Sequence, residues 1–103
     1  MINRVIISGV LENENYLLYR PNKYNHDFSV VEAKLLTHNG KKDEVKEVKI
    51  VLYNKLASDL VNNQEIYKNN LCMYYGEVVY NSEKNETRIK INEPIQVLAS
   101  VGE

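Results

Sequence analysis

Apolar and polar residues alternate along several short segments of this chain, with the period of two that half-buried β-strands show. The alternation is plainest in the segment Val45–Tyr53, where Val48, Ile50 and Leu52 occupy every second position. The fourth such segment is almost continuously apolar, so we expect both of its faces to be covered. In this way we predict five strands, at residues 5–11, 28–36, 45–53, 71–80 and 87–98.

Turn-forming residues separate these strands. Pro21 interrupts a weaker continuation of the first strand at residues 16–19, since proline removes a hydrogen-bond donor from a strand ladder. Asn39-Gly40 is a strong reversal sequence after the second strand, and residues 81–86 form a hairpin tip. Pro94 predicts a bulge or an edge position within the fifth strand.

One helix is predicted between the third and fourth strands. Leu56, Leu60 and Val61 lie at helical spacing, so the helix runs from about residue 55 to 62 or on toward Tyr67. Residues 69–70, both asparagine, would supply a left-handed residue that ends it. This order of elements predicts an all-β, five-stranded Greek-key barrel of the OB-fold type, as one domain over residues 1–103. A small split barrel of another type would show a similar pattern.

Composition narrows the function only slightly. Thirteen Lys and Arg residues nearly balance fourteen Asp and Glu residues, so a nucleic-acid binder of this composition must gather its positive charge on one face. The single cysteine, Cys72, cannot form an internal disulfide, which favours a reducing compartment. The apolar run after Arg4 is too short for a signal core or a membrane span, so we expect a cytoplasmic protein.

Residues that carry enzyme chemistry are scarce. His26 and His38 lie in predicted turns without a cysteine or carboxylate at metal-ligand spacing. Cys72 begins an apolar strand, which predicts a buried side chain and not a nucleophile. No glycine-rich phosphate loop and no Ser/His/Asp pattern is present in the sequence. We therefore expect a protein that is not an enzyme, with no metal and no cofactor.

The junction Tyr53-Asn54-Lys55 carries the strongest functional indication. It places an aromatic ring beside an ammonium group where a strand leaves the sheet. Stacking surface next to positive charge is what single-stranded nucleic acid requires of a protein. Tyr53 could equally pack on the helix that follows.

Five spaced motifs resemble the bacterial single-stranded DNA-binding proteins. The start, residues 3–11, resembles their Asn-basic-Val-x-x-x-Gly-x-Leu pattern, and residues 18–22 resemble their Arg-Tyr-x-Pro-Asn turn, with Leu18 in place of Arg. Residues 28–30 resemble their Phe-Ser/Thr-Leu strand, and residues 75–78 their Glu-Gly-Arg/Gln-Leu. Residues 51–57 are similar to their Val-Val-Phe/Trp-Gly-Lys-Leu-Ala, with Asn54 in place of Gly. The resemblance covers almost the whole chain in order.

The resemblance implies an OB-fold that dimerises through its first strand, often pairs again into tetramers, and binds single-stranded DNA in replication, recombination and repair. It implies phosphate contacts or base stacking at Arg4, Lys49, Tyr53 and Lys55. Weaker candidates are cations on exposed strands and loops and further tyrosines. Together with those four, the nucleic-acid-binding candidates are Lys34, Lys41, Lys42, Tyr75, Tyr80 and Arg88.

Alternatives exist for several of these residues. Tyr80 could be a cross-strand aromatic that stabilises a hairpin. Tyr74 and Tyr75 must face opposite ways in a strand, so we expect one in the core. Arg88 and Lys90 share the face of their strand opposite Ile89, which is also the ordinary polar side of an amphipathic strand.

Departures from the family pattern point to weaker DNA binding. Two stacking Trp positions correspond to Leu36 and to the vicinity of Glu47, and two Arg positions correspond to Val79 and Asn81. Residues 99–103 end the chain without the acidic-tipped extension through which many members recruit replication and repair enzymes. The alternative function is therefore an adaptor similar to primosomal replication protein B. It would bind DNA weakly and have a helicase or other replication protein as its partner. A phage or plasmid form of the DNA-binding protein is a third.

Overall fold

The computed structural model describes residues 3–12, 29–38 and 45–100, and in these ranges the chain forms six strands and two short helices. The strands are β1 (Val5–Leu11), β2 (Val30–His38), β3 (Val45–Tyr53), β4 (Asn70–Asn81), β5 (Glu86–Ile91) and β6 (Gln96–Ser100). The helices are α1 (Asn54–Asn62) and α2 (Gln64–Lys68).

Five strands close into a barrel, which confirms the predicted all-β architecture. β1, β2 and β3 pair antiparallel in chain order, and β3 then pairs parallel with β5. β5 pairs antiparallel with β4, and β4 closes the barrel on β1 through residues from Cys72 to Gly76. β6 pairs with β4 at Asn70–Met73, on the edge away from β1.

Alternate side chains of the strands fill the barrel. Along β2, every second residue from Val31 to Leu35 is buried, because successive side chains of a strand point to opposite faces. In β3, Ile50 and Leu52 point into the barrel, and Val51 between them is buried on the opposite face. α1 packs against β2 and β3, and α2 packs against β1 and β4. The core consists of Leu11, Val31, Ala33, Leu35, Ile50, Leu52, Ala57, Leu60, Tyr67, Cys72, Tyr74, Ile89 and Ile91.

The helical region is longer than the shortest predicted helix, and it is divided in two. α1 begins at Asn54, and α2 continues the helical path through Tyr67. The Tyr67 hydroxyl donates a 2.6 Å hydrogen bond to the Asp59 carboxylate, which ties α2 to α1. Burial and this bond both raise the pKa of Tyr67, so the phenol stays protonated. The predicted left-handed residue at 69–70 is wrong for Asn69, whose φ is −106°.

Left-handed residues lie instead at Asn54, between β3 and α1, with φ of 54°, and at Asn85, in the β4–β5 turn, with φ of 51°. The resembled family has glycine at the position of Asn54, and asparagine is among the few other residues that tolerate this conformation. The Asn54 side chain accepts a 3.1 Å hydrogen bond from the backbone N–H of Ser29, and the Asn54 N–H donates to the Ser29 carbonyl at 2.8 Å. These bonds fix the end of β3 against the beginning of β2.

β4 differs from the expectation that both of its faces are covered. Its inward residues are buried up to Gly76, while Val78 and Tyr80 are exposed because the β4–β5 hairpin extends beyond the barrel. The predicted fifth strand is interrupted at residues 92–95, and β6 follows the interruption. Pro94 lies in this break, outside any strand, so the bulge or edge position predicted for it within one continuous strand is wrong.

Gly76 allows β1, β4 and β5 to approach each other. It pairs with Val5 on one side and Ile91 on the other. A Cβ atom at this position would lie 2.1 Å from the Lys90 carbonyl oxygen, which no side chain tolerates without a shift of the strand. A glycine is therefore required where the barrel closes.

Several predictions lie outside the described residues: the continuation at 16–19, the Pro21 turn, the reversal at Asn39-Gly40 and the start of the second strand at Phe28. Among the residues that are described, no helix has the length and apolar character needed to cross a bilayer.

Candidate nucleic-acid interface

The outer face is the side of β2, β3 and β5 that points away from the core. The strand register places Lys34 opposite Lys49 and Glu32 opposite Val51, and it aligns Val51 with Lys90 of β5. These residues alternate with core residues of the same strands, so their side chains share one surface. The outer face is made of Glu32, Lys34, Glu47, Lys49, Val51, Tyr53, Glu86, Arg88 and Lys90.

A groove of about 230 Å³ runs between β2, β3 and the β4–β5 hairpin on the outer face. Ala33 and Ile50, whose side chains belong to the core, also contribute to its lining. Most of the lining side chains are charged, with cations outnumbering carboxylates: Glu32, Lys34, Lys49, Lys84, Glu86 and Arg88. The groove therefore concentrates positive charge that the net charge of the whole chain conceals.

Arg88 lies at the centre of an ion-pair network in this groove. Its guanidinium contacts a Glu32 carboxylate oxygen and donates from Nε to Glu86 Oε1 at 3.0 Å, and Nη2 lies 2.9 Å from the same Glu86 oxygen. Only 10% of the Arg88 side chain is exposed, so it is held in place and is not a solvated surface cation. Lys49 Nζ lies 2.8 Å from Glu86 Oε2, and Lys84 Nζ lies 3.9 Å from Glu32 Oε1.

Lys49 and Arg88 both change the pKa of the Glu86 carboxyl. A hydrogen bond from Lys49 lowers the pKa of the Glu86 carboxyl, and Arg88 adds to this shift while partial desolvation opposes it. Glu86 therefore stays ionised at neutral pH.

Tyr53 supplies the ring of the outer face. The Lys90 ammonium lies 5.4 Å from the centroid of the Tyr53 ring, within cation–π range. Val51, only 2% exposed, forms an apolar floor beside it. Ring and cations thus share one strand-built surface, as a stacking platform for unpaired bases requires.

Arg4, immediately before β1, and Tyr75 of β4 form a second cation–ring pair. The Arg4 guanidinium lies 5.7 Å from the Tyr75 ring centroid and 3.7 Å from a Glu93 carboxylate oxygen. Tyr75 points away from the core, whereas Tyr74 is fully buried, so the predicted division between the two tyrosines is confirmed. Because Tyr75 donates its hydroxyl to Gln96 at 3.3 Å, the pair lies toward the β6 side of the molecule.

The other candidates do not join Tyr53 on the outer face. Tyr80 is 62% exposed but lies on the opposite face of β4 from Tyr75, and its hydroxyl donates to the Asn85 carboxamide in the hairpin turn. That contact fits the hairpin-stabilising alternative. Lys55 is exposed in the first turn of α1. Lys41 and Lys42 lie outside the described residues.

Sequence reasoning missed the acidic half of the network. Glu32 and Glu86 each lie two residues before a cation of the same strand, Lys34 and Arg88. The local sequence gave no indication that β2 and β5 would bring both carboxylates to one arginine. Lys84, in the hairpin tip, was missed as well. The shared face of Arg88 and Lys90 was the available indication, and the structure confirms that they share it.

Cys72 is buried, and burial raises the pKa of its thiol, so the nucleophilic thiolate is disfavoured. Within residues 3–12, 29–38 and 45–100, no group of three or more His, Cys, Asp or Glu side chains is arranged to hold a metal ion.

Comparison with solved structures identifies the fold. The chain superimposes on the SSB domain of a Synechococcus sp. protein with a TM-score of 0.69 and 16% identity, covering 93% of this chain and 96% of that one. The wild-type single-stranded DNA-binding protein from Thermus aquaticus gives a TM-score of 0.70 and 17% identity, over 99% of this chain and 43% of that one. The chain has an OB-fold.

A dimeric structure of the N-terminal domain of PriB from Thermoanaerobacter tencongensis is also similar, with a TM-score of 0.68 and 12% identity over 95% of this chain and 98% of that domain. No protein-family model and no curated protein sequence matches the chain. At these identities the similarity shows a shared OB-fold, and function must be argued from the site.

The departures from the family pattern lie on the outer face of this OB-fold or beside it. Leu36 corresponds to one lost Trp position and the other falls near Glu47, and these two residues are paired across β2 and β3. Val79, which corresponds to a lost Arg, is paired with Arg88 across β4 and β5. The outer face is therefore poorer in rings and cations than the family pattern, and Tyr53 is left as its one tyrosine among the described residues.

Proposed function

We propose that this OB-fold binds single-stranded DNA without sequence preference, in DNA replication, recombination or repair, and that it is not an enzyme. The observation that carries the proposal is the joint placement of the Tyr53 ring and the cations of the groove on the outer face. Bases would stack on Tyr53, while Lys34, Lys49 and Lys84 neutralise phosphates. A cytoplasmic location belongs to the proposal, since Cys72 is a free, buried thiol.

The proposal predicts modest affinity with a clear salt dependence. One stacking ring contributes about 1–3 kcal/mol per base, far less than the several rings of the family pattern. If three lysines each neutralise one phosphate, the logarithmic salt slope is about −2.1, and the affinity falls about 18-fold between 50 and 200 mM salt.

A fluorescence titration of labelled oligo-dT at these two salt concentrations tests the proposal. We expect saturable binding that weakens by roughly this factor, and weaker competition by duplex DNA than by an unrelated single strand. The absence of binding at the lower salt concentration would contradict the proposal.

A second candidate function is an adaptor in a replication assembly that binds DNA weakly and a helicase or other replication protein more strongly. The ion pairs of the outer face favour it, because Arg88, Lys49 and Lys84 each already contact a carboxylate. In this case, DNA affinity should rise when the partner protein is added. Full-strength DNA binding by the isolated chain, with no protein recovered in a pull-down, would count against it.

We also propose that the chain forms a dimer through β1. Residues Val5–Gly9 pair with β4 on one edge, and β2 joins β1 only at Val10 and Leu11. Within the described residues, the second edge of Val5–Ser8 is paired with no strand, and exposed backbone edges of this kind accept another strand. Light scattering should then give twice the chain mass of 12.0 kDa; the mass of a single chain at micromolar concentration would contradict the dimer.

A further inference from the structure

Two carboxylates lie in the groove where the proposed function requires affinity for phosphate. Glu32 and Glu86 are partly buried, with side-chain exposures of 26% and 23%. A surface that binds a polyanion ordinarily lacks acidic groups, because like charges at short distance repel each other strongly where the local dielectric constant is low. Their presence on this face calls for a functional consequence.

The two carboxylates together contact three of the groove cations. Glu86 binds Lys49 and Arg88, and Glu32 binds Arg88 and lies within ion-pair distance of Lys84. The donors that would point toward a phosphate oxygen are thus turned toward protein oxygens. A phosphate that enters the groove must either displace a carboxylate or use only the donors that the carboxylates leave.

We propose that Glu32 and Glu86 compete with DNA phosphate for Arg88, Lys49 and Lys84, and so set both the affinity and the salt dependence of single-stranded DNA binding. This inference rests on the proposed function, because it concerns the same outer face. Displacing either carboxylate leaves a partly buried negative charge without its cation, and that cost reduces the net gain from each phosphate contact.

A purely structural role for the carboxylates leads to a different expectation. The bond between Glu32 and Arg88 also joins β2 to β5 across β3, and the bond between Glu86 and Lys49 joins β5 to β3. If alignment of the strands were their only role, the neutral substitutions would lower thermal stability and leave DNA binding unchanged or weaker. Competition predicts the opposite direction for binding.

The test uses the variants Glu32→Gln and Glu86→Gln, in which an amide of the same shape keeps a hydrogen-bond acceptor for Arg88 but removes the charge. Glu65→Gln is the matched control, since Glu65 is exposed in the first turn of α2, away from the groove, and its substitution changes the net charge equally. Circular dichroism melts establish that each variant is folded. Binding of labelled oligo-dT is then measured at 50 and 200 mM salt.

We expect Glu32→Gln and Glu86→Gln to bind oligo-dT more tightly than the wild type at low salt, with Glu65→Gln close to the wild type. One additional phosphate contact steepens the salt slope by about 0.7, so the ratio of affinities at the two salt concentrations should grow by about 2.6-fold in each groove variant. A variant that binds while the wild type does not would support the competition and contradict the proposed function as stated.

Two outcomes overturn the inference. If the wild type binds and the folded groove variants match Glu65→Gln in affinity and salt slope, the carboxylates do not compete with phosphate, and the proposed function stands without them. If neither the wild type nor any folded variant binds oligo-dT at low salt, both the inference and the proposed function fail.

Discussion

Replacing Tyr53 by alanine tests whether the outer face stacks bases. The substitution removes the only tyrosine ring that the described part of the outer face presents, and it leaves the groove cations in place. A stacked base contributes about 1–3 kcal/mol. The Lys90 ammonium lies 5.4 Å from the centroid of the same ring and occupies part of its surface, so we expect the lower part of this range. A loss of about 1–2 kcal/mol corresponds to a 5- to 27-fold weaker affinity, since each 1.4 kcal/mol is tenfold.

The assay is fluorescence anisotropy of labelled oligo-dT at low salt, with two matched variants. Tyr53→Phe keeps the ring, and its affinity should stay within about twofold of the wild type, because stacking uses the face of the ring and not the hydroxyl. Tyr80→Ala removes an equally large ring that lies away from the outer face, on the side of β4 opposite to Tyr75, and should also leave the affinity nearly unchanged. If the folded Tyr53→Ala protein bound as tightly as the wild type, or if Tyr80→Ala lost more affinity, the assignment of the outer face would be refuted.

Three further predictions concern the cations, the strand–helix junction and acid stability. Lys49→Ala should weaken oligo-dT binding and reduce the magnitude of the salt slope by about 0.7. The control variant Lys68→Ala, on α2, should change neither the affinity nor the slope. Equal slopes for the two variants would contradict the assignment of the groove as the phosphate site. Asn54→Ala should lower the free energy of unfolding by about 1–3 kcal/mol, because alanine disfavours positive φ and cannot accept the hydrogen bond from Ser29. Asn54→Gly should lower the free energy of unfolding less, since glycine adopts positive φ freely. Denaturant titration measures both variants, and an equal or smaller loss of stability for alanine would show that φ is unimportant. The pKa of Glu86 in the folded protein is depressed below its ordinary 4.5, so the ionised carboxylate stabilises the fold above pH 4.5, and this stabilisation is lost as the pH falls through the depressed pKa. Glu86→Gln should therefore flatten the acid side of the profile of Tm against pH. An unchanged profile would count against the network.

The local pattern was sufficient to predict most of the barrel. β1 and β3 have the predicted bounds, since alternation of apolar residues follows directly from burial of one strand face. The pattern failed at β4, whose apolar residues continue past the barrel into an exposed hairpin. It also could not place the left-handed residues, because asparagine at residues 54, 69, 70 and 85 is equally permissive. The tertiary connection to Ser29 accompanies the left-handed conformation of Asn54.

The candidate site was less predictable than the fold. Tyr53, Lys34, Lys49 and Arg88 were selected from the sequence, and the structure brings these four to one face. The pairing of β3 with β5 is parallel and nonlocal, so neither the Lys90 contact with Tyr53 nor the carboxylates around Arg88 could be read from spacing. Long-range pairing therefore determines the charge balance of the surface, which composition and local alternation leave open.

The central claim is that single-stranded DNA lies along the outer face, and mapping of backbone amide shifts during titration with oligo-dT tests it most directly. We predict that the shifts concentrate on β3, on β5 and on the adjoining half of β2, with the largest changes around Tyr53, Lys49 and Arg88. Shifts confined to α1, α2 or the Tyr80 side of the hairpin, or no shifts at low salt, would contradict it.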